Sequence, residues 1–170
     1  MTTDAPPLPR ALDGDPSAAA IRARLVADVR PLWRDATIAV PEVSLGRPVA
    51  DALVAAHRHG AAVLGLEAAA AELDREAHGL ATAAARSGAP HGARVSRLLF
   101  IASDGAERFY REVERITRRH AARLLTCRLD VASDLLGRTV LGRPARVKAI
   151  LVTHKTDVAD VLRALATRPA

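Results

Sequence analysis

Five side chains with usable chemistry follow apolar runs in the second half of the chain: Ser103 and Asp104, Asp130, and His154 with Lys155. If those runs are parallel strands, all five fall at carboxyl ends, where open α/β sheets bind ligands, and acid–base work is the chemistry they would do. Each has a simpler use. Asp104, Asp130 and Thr156 stand where helix caps belong, and no glycine-rich phosphate loop follows any run, since Gly105 alone does not make one. Cys127 lies inside a run between Thr126 and Arg128, as a small buried hydrophobe rather than a nucleophile. It is the only cysteine, so no intrachain disulfide forms and a reducing cytosol is the expected setting. His57 and His59 are two apart and point in different directions on a helix, which is not metal-ligand spacing. The expectation is a protein without catalysis, metal or cofactor.

A second constellation carries charge instead. Gly137 and Gly142 bracket a short segment in which bare backbone can approach a ribose-phosphate chain, and Arg138, Arg143 and Arg146 supply guanidinium forks for phosphates or exposed bases. The charge balance points the same way. Residues 1–96 hold 10 Arg against 11 acids, net −1, whereas residues 97–170 hold 13 Arg and 2 Lys against 8 acids, net +7. A basic excess confined to one half favours a polyanionic partner, nucleic acid first. The arginines of the segment 106–120 differ from those of the glycine loop. Glu107 with Arg111 and Glu114 with Arg118 are i, i+4 pairs that neutralise much of that face.

Positioning these residues requires three strands. Arg97 to Asp104 (RLLFIASD), Arg123 to Asp130 (RLLTCRLD) and Val147 to Lys155 (VKAILVTHK) are the strand-like runs, and helical patterns follow each. That alternation predicts an α/β, three-layer α/β/α sandwich with a largely parallel sheet, preceded by a helical N-terminal segment. Asp104 and Glu107 have capping-box spacing for the helix 106–120. Residues 1–16, with four prolines, read as a disordered or loosely attached tail, and 17–60 as a helical segment in which Ile38 to Val43 is a short strand or extended link. Trp33, the only Trp, is expected to be a packing anchor. From 61 onward lies the α/β, RNA-binding-like domain. It opens on a heptad seam of Val63, Leu66, Ala70, Leu73, Ala77, Leu80 and Ala84. Internal packing is the expected use of that seam, and a homodimer through the 63–84 helix is the alternative.

From Arg97 onward the chain resembles the kink-turn-binding ribosomal protein superfamily, and within it the bacterial YlxQ-type proteins. The similarity rests on RLLFIASD, a helix, a second strand, the run Asp134-Leu135-Leu136-Gly137-Arg138 with Gly142-Arg143, and Val147 to Thr153 as a final strand before the C-terminal helix. Val63-Leu64-Gly65-Leu66 and Ala84-Ala85-Arg86-Ser87-Gly88 are similar to the opening of the family's first helix and the end of its second. Coverage is about residues 61–167. The stretch Leu73 to Gly79 departs from the pattern, with no Gly-Asn-Glu and no Lys where the family's RNA-contacting helix starts, and Ala89 to Ser96 is an extra loop. The resemblance implies non-catalytic binding of structured RNA, near the ribosome or translation, with Arg86 and Ser87 joining Gly137, Arg138, Gly142, Arg143 and Arg146. A cytoplasmic protein without a membrane partner is expected, because the N-terminus lacks a signal-peptide pattern and no apolar run spans a bilayer.

Overall fold

The three apolar runs form the centre of one sheet. The computed structural model describes residues 4–89 and 92–168. Its strands are β1 (Val29–Pro31), β2 (Ala39–Val43), β3 (Ala62–Leu64), β4 (Arg97–Ile101), β5 (Leu124–Leu129) and β6 (Ala149–Val152), in the spatial order β1-β2-β5-β4-β6-β3. Leu98, Leu99, Phe100 and Ile101 are all fully buried, because both faces of β4 are covered. Leu98 and Phe100 join Cys127, Ile150 and Val152 on one side, and Leu99 and Ile101 join Ala149 and Leu151 on the other. A continuous apolar run is what two covered faces demand.

Among the described residues six α-helices supply the covers. On the first face α1 (Ala18–Ala27), α2 (Arg47–Arg58), α5 (Ser133–Leu141) and α6 (Lys155–Ala166) contribute Ile21, Leu25, Leu53, Leu136, Val158 and Leu162. On the second, α3 (Leu66–Ser87) brings Ala69 and Leu73, and α4 (Glu107–Arg119) brings Tyr110, Val113 and Ile116. The result is the expected α/β/α arrangement. Among the described residues no helix is long and apolar enough to cross a membrane.

Three expectations change. The sheet is mixed: β2, β5 and β4 run parallel, but β6 is antiparallel to β4, with Leu98 opposite Val152 and Ile101 opposite Ala149. His154 and Lys155 therefore lie at the opposite edge from Asp104 and Asp130. The N-terminal residues are not an appendage. Leu8 and Leu12 are buried in the core, Asp13 pairs with Arg94, Asp15 pairs with Arg163, and β2 extends the sheet through its parallel pairing with β5. Finally, the capping box at Asp104 does not form. Asp104 reaches across to the next helix, accepting hydrogen bonds from Ser133 N–H at 2.9 Å and Ser133 Oγ at 2.8 Å, while Ala106 precedes α4 without a side-chain cap. Similarly, Asp130 accepts from Leu45 N–H, and His154 rather than Thr156 precedes α6.

Trp33 is the anchor its isolation suggests. Its indole Nε1 donates to Glu114 at 2.7 Å, and the Arg111 guanidinium lies 4.7 Å from its ring centroid. Glu114 is buried and also accepts from the Thr37 N–H and hydroxyl. Thr37 and Trp33 hold this carboxyl below its ordinary range, against the opposing effect of burial. The β1–β2 connection is thereby tied to α4.

Candidate nucleic-acid interface

The segment from Ser133 to Lys148 folds back on itself, and two glycines make the reversal in different ways. α5 ends at Gly142, which takes φ +67° and donates its N–H to Arg138 O, the left-handed stop that glycine adopts without strain. Pro144 follows and cannot continue a helix. The chain then returns along α5. Ala145 crosses directly over Gly137, where a Cβ would sit 2.1 Å from the Ala145 carbonyl oxygen, and Val147 N–H reaches Ser133 O at 2.9 Å. Gly137 is therefore buried inside a helix as a packing residue. It is not the bare backbone, open to a ribose-phosphate chain, that its spacing from Gly142 predicts.

What the fold-back leaves outside is cationic. Arg138, Arg143 and Arg146 are exposed, Val147 turns inward, and Lys148 is exposed again. None of the four has a carboxylate within ion-pair distance among the described residues, whereas Arg111, Arg115, Arg118 and Arg119 pair with Glu107, Glu112, Glu114 and Asp74. The ridge thus carries unpaired charge, whereas α4 carries it only at Arg108. Lys148 extends it to the carboxyl edge of the parallel strands, where its carbonyl accepts Ala102 N–H at 2.9 Å. Burial pushes the Asp104 carboxyl up, but the hydrogen bonds from Ser133 outweigh it and, with a small contribution from the Lys148 ammonium, hold it below the ordinary carboxylate range. Sequence reasoning passed over Lys148, although its alternation with buried Val147 and Ala149 was the available signal.

Arg86 and Ser87 do not join this ridge. They end α3, exposed, next to Gly88 with φ +66°. Glu76 in the same helix receives Arg97 and Arg123 at the amino ends of β4 and β5. Ten residues further on, Arg86 is about 15 Å beyond that edge at 1.5 Å per helical residue. α3 packs on the second face of the sheet and α5 on the first, so the seven residues predicted as one surface are divided between the two outer layers. The heptad seam divides as well, and its first position is not helical: Val63 lies on β3 opposite Leu151, and the helix begins only at Leu66. Leu66, Ala70 and Leu73 pack on the sheet, while Ala77, Leu80 and Ala84 belong to neither core cluster.

At the strand ends, Asp104 and Asp130 are occupied by the structural hydrogen bonds to Ser133 and Leu45. Tyr110 closes the turn after β4, donating to Ala102 O at 2.8 Å and accepting from Gly105 N–H at 3.1 Å. Cys127 is fully buried, and burial pushes its thiol up to about 12. Among the described residues no group of three or more His, Cys, Asp or Glu is placed to hold a metal ion. A cavity of about 140 Å³ lies elsewhere, between Arg24, Ser44, Val49 and Leu165.

Comparison with family models and with curated proteins finds no match. A solved structure, that of a protein with unknown function from Bacillus halodurans C, is similar in fold. It is 15% identical, with a TM-score of 0.50 over 72% of this chain and 99% of that one. At that identity the likeness bears on the fold alone.

Proposed function

We propose that this protein binds structured RNA without catalysis, through the ridge formed by Arg138, Arg143, Arg146 and Lys148. One observation carries the reading: these four cations are exposed and without an ion-pair partner among the described residues on the fold-back, while four of the five arginines of α4 are paired with acids of their own helix or of α3. Phosphate contacts need exposed guanidinium or ammonium groups held in register, and uncompensated charge is what a polyanion can exchange for its counterions. The +7 balance of residues 97–170 and the resemblance of residues 61–167 to the kink-turn-binding superfamily support the same conclusion. A role near the ribosome belongs to this proposal. Arg86 and Ser87 have no part in the ridge.

Ultraviolet cross-linking of the protein to an RNA hairpin with an internal bulge, followed by peptide mapping, tests the placement. Cross-links are expected in 138–148. Cross-links confined to 75–89 would move the site to α3, and none at all would remove the RNA reading. One observation favours a rival, since the distal half of α3 carries Ala77, Leu80 and Ala84 away from both cores. Self-association through that helix predicts a dimer by light scattering that becomes a monomer on Leu80→Glu.

A further inference from the structure

The ridge does not end in charge; it ends beside an aromatic ring. Lys148 Nζ lies 6.0 Å from the centroid of Phe109, which sits in the first turn of α4 and is only partly buried. Phe109 is one of 2 phenylalanines in the chain, and the other, Phe100, is fully buried in the sheet. The ring is held firmly. Tyr110 meets it edge-on at 5.3 Å, and Gly105 packs so tightly that a Cβ there would be 2.5 Å from the ring. Next to it, Arg108 is exposed and has no ion-pair partner among the described residues, the exception on α4. An aromatic ring backed by Tyr110 and Gly105, with the Lys148 ammonium over it and the exposed Arg108 next to it in the chain, joins the two elements that accept an unpaired base while its phosphates are held, once the flexible lysine moves from the ring to a phosphate.

We infer that Phe109 is a stacking platform for one unpaired base of the bound RNA, with Lys148 and Arg108 taking the flanking phosphates. This rests on the RNA-binding reading and narrows its ligand class to RNA in which a bulged or single-stranded nucleotide adjoins a helix. A fully paired duplex would use the cations and leave the ring idle.

The probes are two RNA hairpins identical except that one carries a single bulged adenine and the other an abasic site at the same position. The wild-type protein should prefer the adenine by about tenfold, the order expected for one base–aromatic stack. Phe109→Leu, which keeps the apolar volume, should bind both hairpins equally while its salt dependence stays that of the wild type. Phe109→Trp should keep the preference. Independently of any variant, 5-iodouracil at the bulge should photocross-link to Phe109. If Phe109→Leu still prefers the adenine, or the photocross-link maps elsewhere, the stacking assignment is wrong and the ridge reading stands. If the wild-type protein binds neither hairpin in a salt-dependent way, both readings fail.

Discussion

Replacing Gly137 by Ala separates a packing glycine from a binding one. The added methyl would meet the Ala145 carbonyl oxygen at 2.1 Å and the Ala145 carbonyl carbon at 2.7 Å, and Val147 N lies 3.2 Å away, so the returning strand of chain must lift by more than 1 Å. Overpacking of this kind costs about 1–3 kcal/mol, and the upper end applies because the obstacle is backbone. Lifting the segment also weakens the Val147 N–H to Ser133 O bond, adding about 1 kcal/mol, whereas exchanging Gly for Ala inside a helix returns about 1 kcal/mol. The net expectation is a loss of about 3 kcal/mol, read as a fall in thermal midpoint of roughly 6–12 °C for a domain of this size. Gly79→Ala is the matched control. Gly79 is exposed in α3 with nothing within 4 Å of a Cβ, so the same substitution there should stabilise by about 1 kcal/mol. Paired urea and thermal melts decide it. A Gly137→Ala protein as stable as wild type would refute the close crossing of Ala145, and with it the geometry that displays the ridge.

Three further outcomes follow from buried groups. Tyr110→Phe removes the hydroxyl that satisfies Ala102 O and Gly105 N–H, and should cost about 1–3 kcal/mol in a urea titration, with no loss meaning that the turn re-pairs its own backbone. Cys127, with its thiol pushed up to about 12, should label with iodoacetamide at pH 8 only as fast as the protein unfolds, and prompt labelling of the native state would contradict its burial. The Glu114 carboxyl is held below its ordinary 4.5 by Thr37 and Trp33, so its contribution to stability is present above 4.5 and is lost as pH falls through the lowered value. Fluorescence of Trp33, the sole Trp, should report that acid loosening, and Glu114→Gln should remove this part of the pH dependence.

The centre of the fold was legible because covering both faces of a strand writes itself as four consecutive apolar residues, Leu98 to Ile101. The outer strands left weaker marks. β1 and β3 are 3 residues long and fell inside segments read as helical, and β2 contains Pro41, so 38–43 could be read only as a short strand or extended link. Strand polarity leaves no local trace, and the antiparallel course of β6 carried His154 and Lys155 away from the aspartates. Leu8 and Leu12 show no periodicity, which hid their burial among prolines. At the ridge, the arginines were visible as exposed types, but the use of Gly137 depends on Ala145, a contact made by chain reversal. Likewise Asp104 matched a local box with Glu107 while its partner, Ser133, stands 29 residues on.

The central claim is that the uncompensated ridge, and not overall basicity, binds RNA, and the salt dependence of affinity for one bulged hairpin measures it. Contacts to three phosphates contribute a slope of about 2–3 in log affinity against log salt, at roughly 0.7–0.9 per phosphate. Changing Arg138, Arg143 and Arg146 together to Ala should flatten the plot by that amount. Changing Arg111, Arg115 and Arg119, which remove equal charge from groups paired with Glu107, Glu112 and Asp74, should leave the slope within about 1 unit of wild type. Equal flattening by the two triple variants, or none by the first, would contradict the account.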